Sequence, residues 1–138
     1  MTDLNTRIRN SFGRQSMMAT FGASLADVAP GCVTIHAPIL PGAMQQQGFG
    51  HAGLTFSIGD SAAGYAALTL LAQDQEVVTA EIKINLLAPA RGDLLIARGK
   101  VVKPGRRLVV VTSEVYARAG DTETLIAILQ GTMIPVPA

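Results

Sequence analysis

At 138 residues the chain predicts a single domain, residues 1–138. With 49% hydrophobic and 15% charged residues it can fill a core, which excludes a disordered chain. A net charge of +1 gives no basis for nucleic acid or an anionic membrane as partner, and one cysteine excludes an internal disulfide.

No basic segment followed by an apolar one opens the chain, so no signal peptide is expected. Thr2 to Phe12 places Leu4, Ile8 and Phe12 at helical spacing, with Thr2 or Asp3 as cap and Gly13 as stop. From Met17 to Leu40 the pattern turns to strand. Pro30-Gly31 splits it into a hairpin, Thr20 to Val28 and Cys32 to Ile39. His36 reads as a surface-facing strand residue and Cys32 as a small core filler.

Gln45 to Tyr65, QQQGFGHAGLTFSIGDSAAGY, begins as a polar, Gly-rich loop. It becomes an apolar segment without proline from His51 to Leu71, which predicts a buried helix rather than a membrane span. Near its middle sits one carboxylate, Asp60. A carboxylate there is costly unless it is paired or used. Gly53, Ser57 and Gly64 share its face, which is small enough to admit a second backbone or a slender ligand. His51 and Ala52 fall at the helix N-terminus, where free N–H groups favour negative charge. The plain alternative is that Asp60 pairs with an arginine or caps a loop.

Gln73 to Gln75 forms a loop. Four long strands are then predicted: Val77 to Leu87, Leu94 to Val102, Leu108 to Ala117 and Thr122 to Ile134. Turns at Arg91-Gly92-Asp93, Lys103-Pro104-Gly105 and Ala119-Gly120-Asp121 separate the last four, in an antiparallel meander. In the first strand Thr79, Glu81, Lys83 and Asn85 alternate with apolar residues. Strands this long curl. One apolar helix with a curled antiparallel sheet predicts an α+β fold, the sheet wrapped around the helix. No His or Cys pair has metal-ligand spacing, and no dinucleotide or phosphate-loop fingerprint is present, so no metal and no cofactor are expected.

The order hairpin, central helix, meander resembles the hotdog fold. The loop and helix resemble the phenylacetic-acid-degradation (PaaI-type) branch of hotdog acyl-CoA thioesterases. That branch shows Asn or Gln, then Gly, then His-Gly-Gly, then an acid nine residues after the His. Here the matching residues are Gln45, Gly48, His51-Ala52-Gly53 and Asp60. The opening SFGRQSMMATFGA and the segment Val78 to Arg107 are similar too. Two residues depart from the pattern. Ala52 replaces the first Gly, and Gly64 stands where several relatives carry Ser or Thr.

The resemblance implies hydrolysis of an aryl- or medium-chain acyl-CoA. The N–H groups of Ala52 and Gly53 would form the oxyanion hole. Asp60 would act as nucleophile or as general base, and the sequence leaves both roles open. Gln45 would bond the thioester or water, and His51 would orient the loop or ease departure of the thiolate. Gly48, Ser57 and Gly64 would line the substrate. The turn residues Arg91, Arg106 and Arg107 would meet the CoA phosphates, although turn bases are ordinarily just solvated. The resemblance further implies a homodimer with sheets joined edge to edge and helices side by side. The polar set Thr79, Glu81, Lys83 and Asn85 would support a further contact, a homotetramer built as a dimer of dimers, and the single cysteine fits a reducing, cytoplasmic compartment. The alternative function is a non-catalytic hotdog module that binds acyl-CoA or another apolar ligand. A hydratase reading is weaker, because His36 has no evident acid partner.

Overall fold

This computed structural model describes residues 3–138. The elements run α1 (Leu4–Arg14), α2 (Ser16–Thr20), β1 (Ser24–Ala29), β2 (Cys32–Ala37), a short 3-10 turn (Pro41–Ala43), α3 (Ala52–Leu68), β3 (Gln75–Leu86), β4 (Leu94–Pro104), β5 (Val109–Ala119) and β6 (Thr122–Pro137). The strands form one sheet in the order β1-β2-β4-β5-β6-β3, every neighbour antiparallel. The expected α+β hotdog architecture is present: a curled sheet against one long helix.

Because α3 carries apolar residues around most of its circumference, it is buried rather than lying as a surface helix. It packs on β2, β3, β4, β5 and β6. Leu54, Ile58, Ala62, Ala66 and Leu68 meet Val33, Ile35, Leu95, Ala97, Val115 and Leu129 in the main core. Glycine sets the closest approach. A Cβ at Gly99 of β4 would run into the backbone of Ala62 and Ala63, and one at Gly59 would come within 2.9 Å of the Leu129 side chain. Among the described residues no helix is long and apolar enough to cross a membrane.

The helix ends at Leu68, short of the predicted Leu71. Thr69 Oγ1 donates to the Ala66 carbonyl at 2.6 Å and accepts from the Gly31 N–H at 2.7 Å, which ties the helix end to the β1–β2 turn. The Arg7 guanidinium donates to the carbonyls of Leu71, Ala72 and Gln75 at 2.7–2.8 Å, so α1 holds the α3–β3 connection.

Several expectations need correction. Gly13 does not stop the first helix, which runs to Arg14, and extended Gln15 interrupts it instead. Thr20 begins no strand; Ser16–Thr20 is helical and buries Met18, and Gly22 at φ 66 makes the turn into β1. Asp3 caps α1 by accepting from the Thr6 N–H at 2.9 Å, while Thr2 lies outside the described residues. Cys32 is exposed, not a core filler, because its neighbours Val33 and Ile35 take the buried side of β2. The meander holds for β4-β5-β6 only: β3 pairs with β6, not β4. The connection from β3 to β4 is too long for a tight hairpin, and β4 inserts between β2 and β5. Strand β6 runs through Pro135 to Pro137, since beyond Met133 it has lost β5 and keeps a single neighbour.

One more departure concerns β3. Between Thr79 and Glu81 its register slips by one residue, a β-bulge at Ala80. Glu81 therefore pairs with Thr132 and bonds its hydroxyl at 2.7 Å, on the face away from α3. Thr79 instead pairs with fully buried Met133 and faces the helix. The polar row of β3 does not include Thr79.

The close approach of β4 to α3 predicts opposite outcomes for two glycines. Gly99→Ala pushes a methyl into helix backbone, which cannot yield, and should cost about 3 kcal/mol or more in urea unfolding. At Gly64 a Cβ meets only Met133 Cε, at 3.8 Å. Gly64→Ala should be neutral or stabilise by about 0.5–1 kcal/mol through helix propensity.

Candidate active site

Two polar regions lie along α3, one at its start and one at its middle. The loop before the helix is built by its own backbone and by Gln45. The Gln45 N–H donates to the Phe49 carbonyl at 2.8 Å, and Gln45 Oε1 accepts from the N–H groups of Gln47 at 2.5 Å and Phe49 at 3.2 Å. Gly48 sits at φ 86, a left-handed turn that glycine makes without strain. The Gly50 N–H donates to the Ala90 carbonyl at 2.7 Å and pins the loop to the segment before β4. In this arrangement the Gln45 amide oxygen organises the loop.

His51 is the N-cap of α3, and its Nδ1 accepts from the Gly53 N–H at 2.7 Å. Two consequences follow. The imidazole proton sits on Nε2 when the ring is neutral. The Gly53 N–H is already taken, whereas the Ala52 N–H has no partner among the described residues and Ala52 is exposed. Of the two donors expected for an oxyanion, only Ala52 is free. A Cβ at Gly53 would come within 3.0 Å of the His51 ring, which explains glycine there while alanine is accepted at 52. A cavity of about 400 Å³ opens beside this end, lined among others by Gln45, Phe49, His51, Ala52 and Thr55.

Asp60 is half-buried on α3 and lines a separate cavity of about 340 Å³ with Ser61, Gly64, Gln15, Thr79 and Met133. Burial raises its pKa above the ordinary carboxylate value, and a hydrogen bond from Thr79 partly offsets that rise. Thr79 Oγ1 donates to Asp60 Oδ1 at 2.8 Å, and no other side chain among the described residues bonds the carboxylate. Ser61 Oγ donates to Gln15 Oε1 at 3.2 Å, and Ser11 Oγ donates to the Tyr65 hydroxyl at 3.2 Å, so α1 and the residue that ends it supply polar groups to the same cavity. Burial raises the pKa of Tyr65 as well.

The two regions do not meet within one chain. Nine residues separate His51 from Asp60, ~14 Å of helix rise. They are joined by the stripe Gly53, Ser57, Asp60 and Gly64, which the sheet covers only in part while most of α3 is buried. Ser57 Oγ donates back to the Gly53 carbonyl at 2.7 Å. Arg91 stacks over the Phe49 ring at 5.5 Å, near the helix start. Arg106 and Arg107 are exposed in the β4–β5 turn, at the end of the sheet where Val109 pairs with Met133. The three arginines thus stand at opposite ends of the sheet. His36 lies on the outer face, its pKa lowered by burial and then by Arg118 and Arg98. Among the described residues no three His, Cys, Asp or Glu side chains gather as for a metal ion.

Sequence reasoning missed Thr79, Gln15, Ser61 and the Ser11–Tyr65 pair as neighbours of Asp60. Ser61 carried a weak signal, being the hydroxyl beside the only acid in the helix. Thr79 carried none, since the apparent alternation of β3 assigned it to the wrong face.

The profile of the thioesterase superfamily matches residues 47–124. The crystal structure of a thioesterase family protein from Silicibacter pomeroyi superposes with a TM-score of 0.96 at 40% identity, covering 99% of this chain and 100% of that one. The PaaI protein of the Escherichia coli phenylacetic acid degradation operon shares the fold, with a TM-score of 0.84 at 19% identity over 94% of this chain and 91% of that one. A Saccharolobus solfataricus protein provisionally named an esterase is 41% identical over 66 residues, a match that spans 48% of this chain and 43% of that relative's length. The chain belongs to the thioesterase superfamily, a family of hotdog-fold thioester hydrolases.

Proposed function

We propose that this chain is one hotdog domain that hydrolyses the thioester of an aryl- or medium-chain acyl-CoA, and that it works as a homodimer, with a second contact making a homotetramer. The observation that carries the reading is Asp60: a half-buried carboxylate with a raised pKa on the partly covered, small-residue stripe of an otherwise buried helix. Such a group suits a base or nucleophile acting near neutral pH.

The thioester carbonyl oxygen takes the free Ala52 N–H at the positive end of α3. On the base route, Asp60 accepts a proton from water, the oxygen of that water attacks the carbonyl carbon, and the C–S bond breaks. The thiolate leaves, and its proton comes from the carboxylic acid formed at Asp60. On the nucleophile route, Asp60 attacks the carbon, displaces the thiolate and forms a mixed anhydride; water then splits it into the free acid and the Asp60 carboxylate, and the proton released goes to the thiolate. Both routes need Ala52 and Asp60 within one substrate's reach. The ~14 Å between the helix start and Asp60 forbids this within a chain. The helix start of one subunit therefore faces Asp60 of its partner, with the free edge of β3 as the joining strand.

In that arrangement His51 Nε2–H points a donor toward the leaving group, and Gln45 and Gly48 hold the loop that forms one wall. Ser57 and Gly64 keep the channel narrow. Arg91, Arg106 and Arg107 offer cations to the phosphates. An exposed free cysteine suits a reducing, cytoplasmic setting.

Two variants test the assignment. Asp60→Asn keeps shape and removes charge, so kcat for a panel of acyl-CoAs should fall on the order of a hundredfold or more, read by free thiol release. The same change should raise the melting temperature at neutral pH. Burial favours the protonated carboxyl, so that stability is fully present below the ordinary value of 3.8 and is lost as pH rises through the raised folded value. The gain in melting temperature should accordingly vanish at low pH. A folded Asp60→Asn protein with an unchanged rate would move the chain to the binding-module reading.

Ala52→Pro addresses the oxyanion donor. Proline is accommodated at the first residue of a helix, and His51 already has the extended backbone that precedes proline, φ -65 and ψ 144. The substitution removes one N–H and little else. It should cost roughly 10²–10³ in kcat with the fold intact by circular dichroism; full activity would remove Ala52 from the site.

A further inference from the structure

The cavity at Asp60 continues past the carboxylate. It runs along α3 by Gly64 and Tyr65 to Leu68, with α1 on one side and the start of β3 on the other. At about 340 Å³ it lies near the lower limit for a small-molecule site, so it holds one short group and not a whole acyl-CoA. Leu68, Val77 and Met133 give it an apolar wall that suits a few methylenes or one ring.

The end beyond Asp60 is polar, and its polarity has a direction. Ser61 Oγ donates to Gln15 Oε1 at 3.2 Å, which leaves the Gln15 amide N–H groups without a partner among the described residues. Ser11 Oγ donates to the Tyr65 hydroxyl at 3.2 Å, so the Tyr65 proton is left to donate. Arg14 gives one N–H to the Asn10 carbonyl at 3.3 Å and forms no ion pair among the described residues. The opposing charge at this end is Glu76. Burial raises the Tyr65 pKa most; Ser11 and then Arg14 lower it, and Glu76 raises it least. The hydroxyl therefore feels the Arg14 cation more than the Glu76 anion.

We propose that the acyl group taken by this site carries a carboxylate at its far end, which Arg14, Tyr65 and Gln15 bind while the thioester lies at Asp60. This rests on the reading of Asp60 as the carboxylate of an acyl-CoA hydrolase, and narrows the acyl class within it. Tyr65 stands five residues beyond Asp60, ~7.5 Å of helix rise, which suits a six-carbon diacid or a para-substituted benzoyl group. A carboxylate has lone pairs enough for all three donors, and its bond to a guanidinium is charge-assisted. An alkyl end would strip water from the same donors and return no hydrogen bond.

The test uses substrates in pairs that differ only at the far end: adipoyl-CoA with hexanoyl-CoA, and 4-carboxybenzoyl-CoA with 4-methylbenzoyl-CoA. The unaltered chain should favour the carboxylated member about tenfold or more in kcat/KM, the size of one charge-assisted hydrogen bond. Added salt should shrink that preference. Arg14→Met keeps most of the stem, removes the cation and should abolish the preference. Arg14→Lys keeps the charge without the planar fork and should keep part of it. Glu76→Gln removes the opposing anion and should enlarge it. Reading a ratio within each pair cancels any general loss from altered packing of α1.

No preference in the unaltered chain, or a preference that Arg14→Met leaves unchanged, would overturn the proposal. So would a KM raised equally for both members of each pair, since Arg14 would then be meeting the CoA phosphates. Should Arg14→Met fail to fold, Glu76→Gln and the salt series make the comparison, and a ratio unmoved in both overturns it. If the unaltered chain cleaves no acyl-CoA, the hydrolase reading fails by itself. Calorimetric binding of the intact pairs then decides the role of the cavity: tighter binding of adipoyl-CoA that Arg14→Met abolishes supports the assignment, and equal binding of adipoyl-CoA and hexanoyl-CoA removes it.

Discussion

The close seating of β4 on α3 is the contact from which the remaining geometry follows. Gly99 lets the strand backbone approach the helix backbone at Ala62 and Ala63, and Gly59 accepts the Leu129 side chain on a neighbouring line. With those two approaches made, the sheet closes around the helix through β2, β4, β5, β6 and β3. Most of α3 is then out of water, and the burial of Leu54, Ile58 and Leu68 stabilises the fold by a few kcal/mol each. What the sheet covers only in part is the stripe Gly53, Ser57, Asp60 and Gly64, which it touches through Thr79 and Met133. That stripe is open because the sheet ends, at the edges of β1 and β3, before it completes the circle.

Asp60 is tolerated on α3 because it lies on that stripe and not under the sheet. It is buried enough to raise its pKa above the ordinary carboxylate value, and open enough to meet a ligand. The bulge in β3 then brings it one hydroxyl. At the other end of the helix a different economy of donors holds: the cap by His51 consumes the Gly53 N–H, and the Ala52 N–H is left pointing out. A carboxylate with one free oxygen and a helix end with one free donor are complementary pieces of acyl-transfer chemistry.

Much of this was legible in the chain. The apolar run from His51, its lone acid and the turn spacing of the later strands led to a buried helix and a curled antiparallel sheet, because burial and turn chemistry are local signals. Partner choice among strands is not local. Nothing in Val77 to Leu87 says that β6 rather than β4 is its neighbour, since both are long and apolar on one face. The bulge at Ala80 was hidden for a similar reason: Thr79, Glu81, Lys83 and Asn85 alternate perfectly in sequence, and the slip appears only against Thr132 and Met133. The helix at Ser16–Thr20 was masked because Met17 and Met18 fit either period. At the candidate site, Asp60, His51 and Ala52 stood out through the lone acid in an apolar helix and through the resemblance. Thr79 and Gln15 did not, because they come to the cavity beside Asp60 from other parts of the chain.

The central claim is that Asp60 of one subunit serves the helix start of the other. Mixing Asp60→Asn with Ala52→Pro, each inactive alone, tests it most directly. In a mixed two-fold dimer one site carries both substitutions and the other carries neither. Equal random mixing should therefore recover about a quarter of the unaltered rate. Sites built within single chains would leave every site in the mixture with one substitution, and the mixture as inactive as its parts would contradict the account.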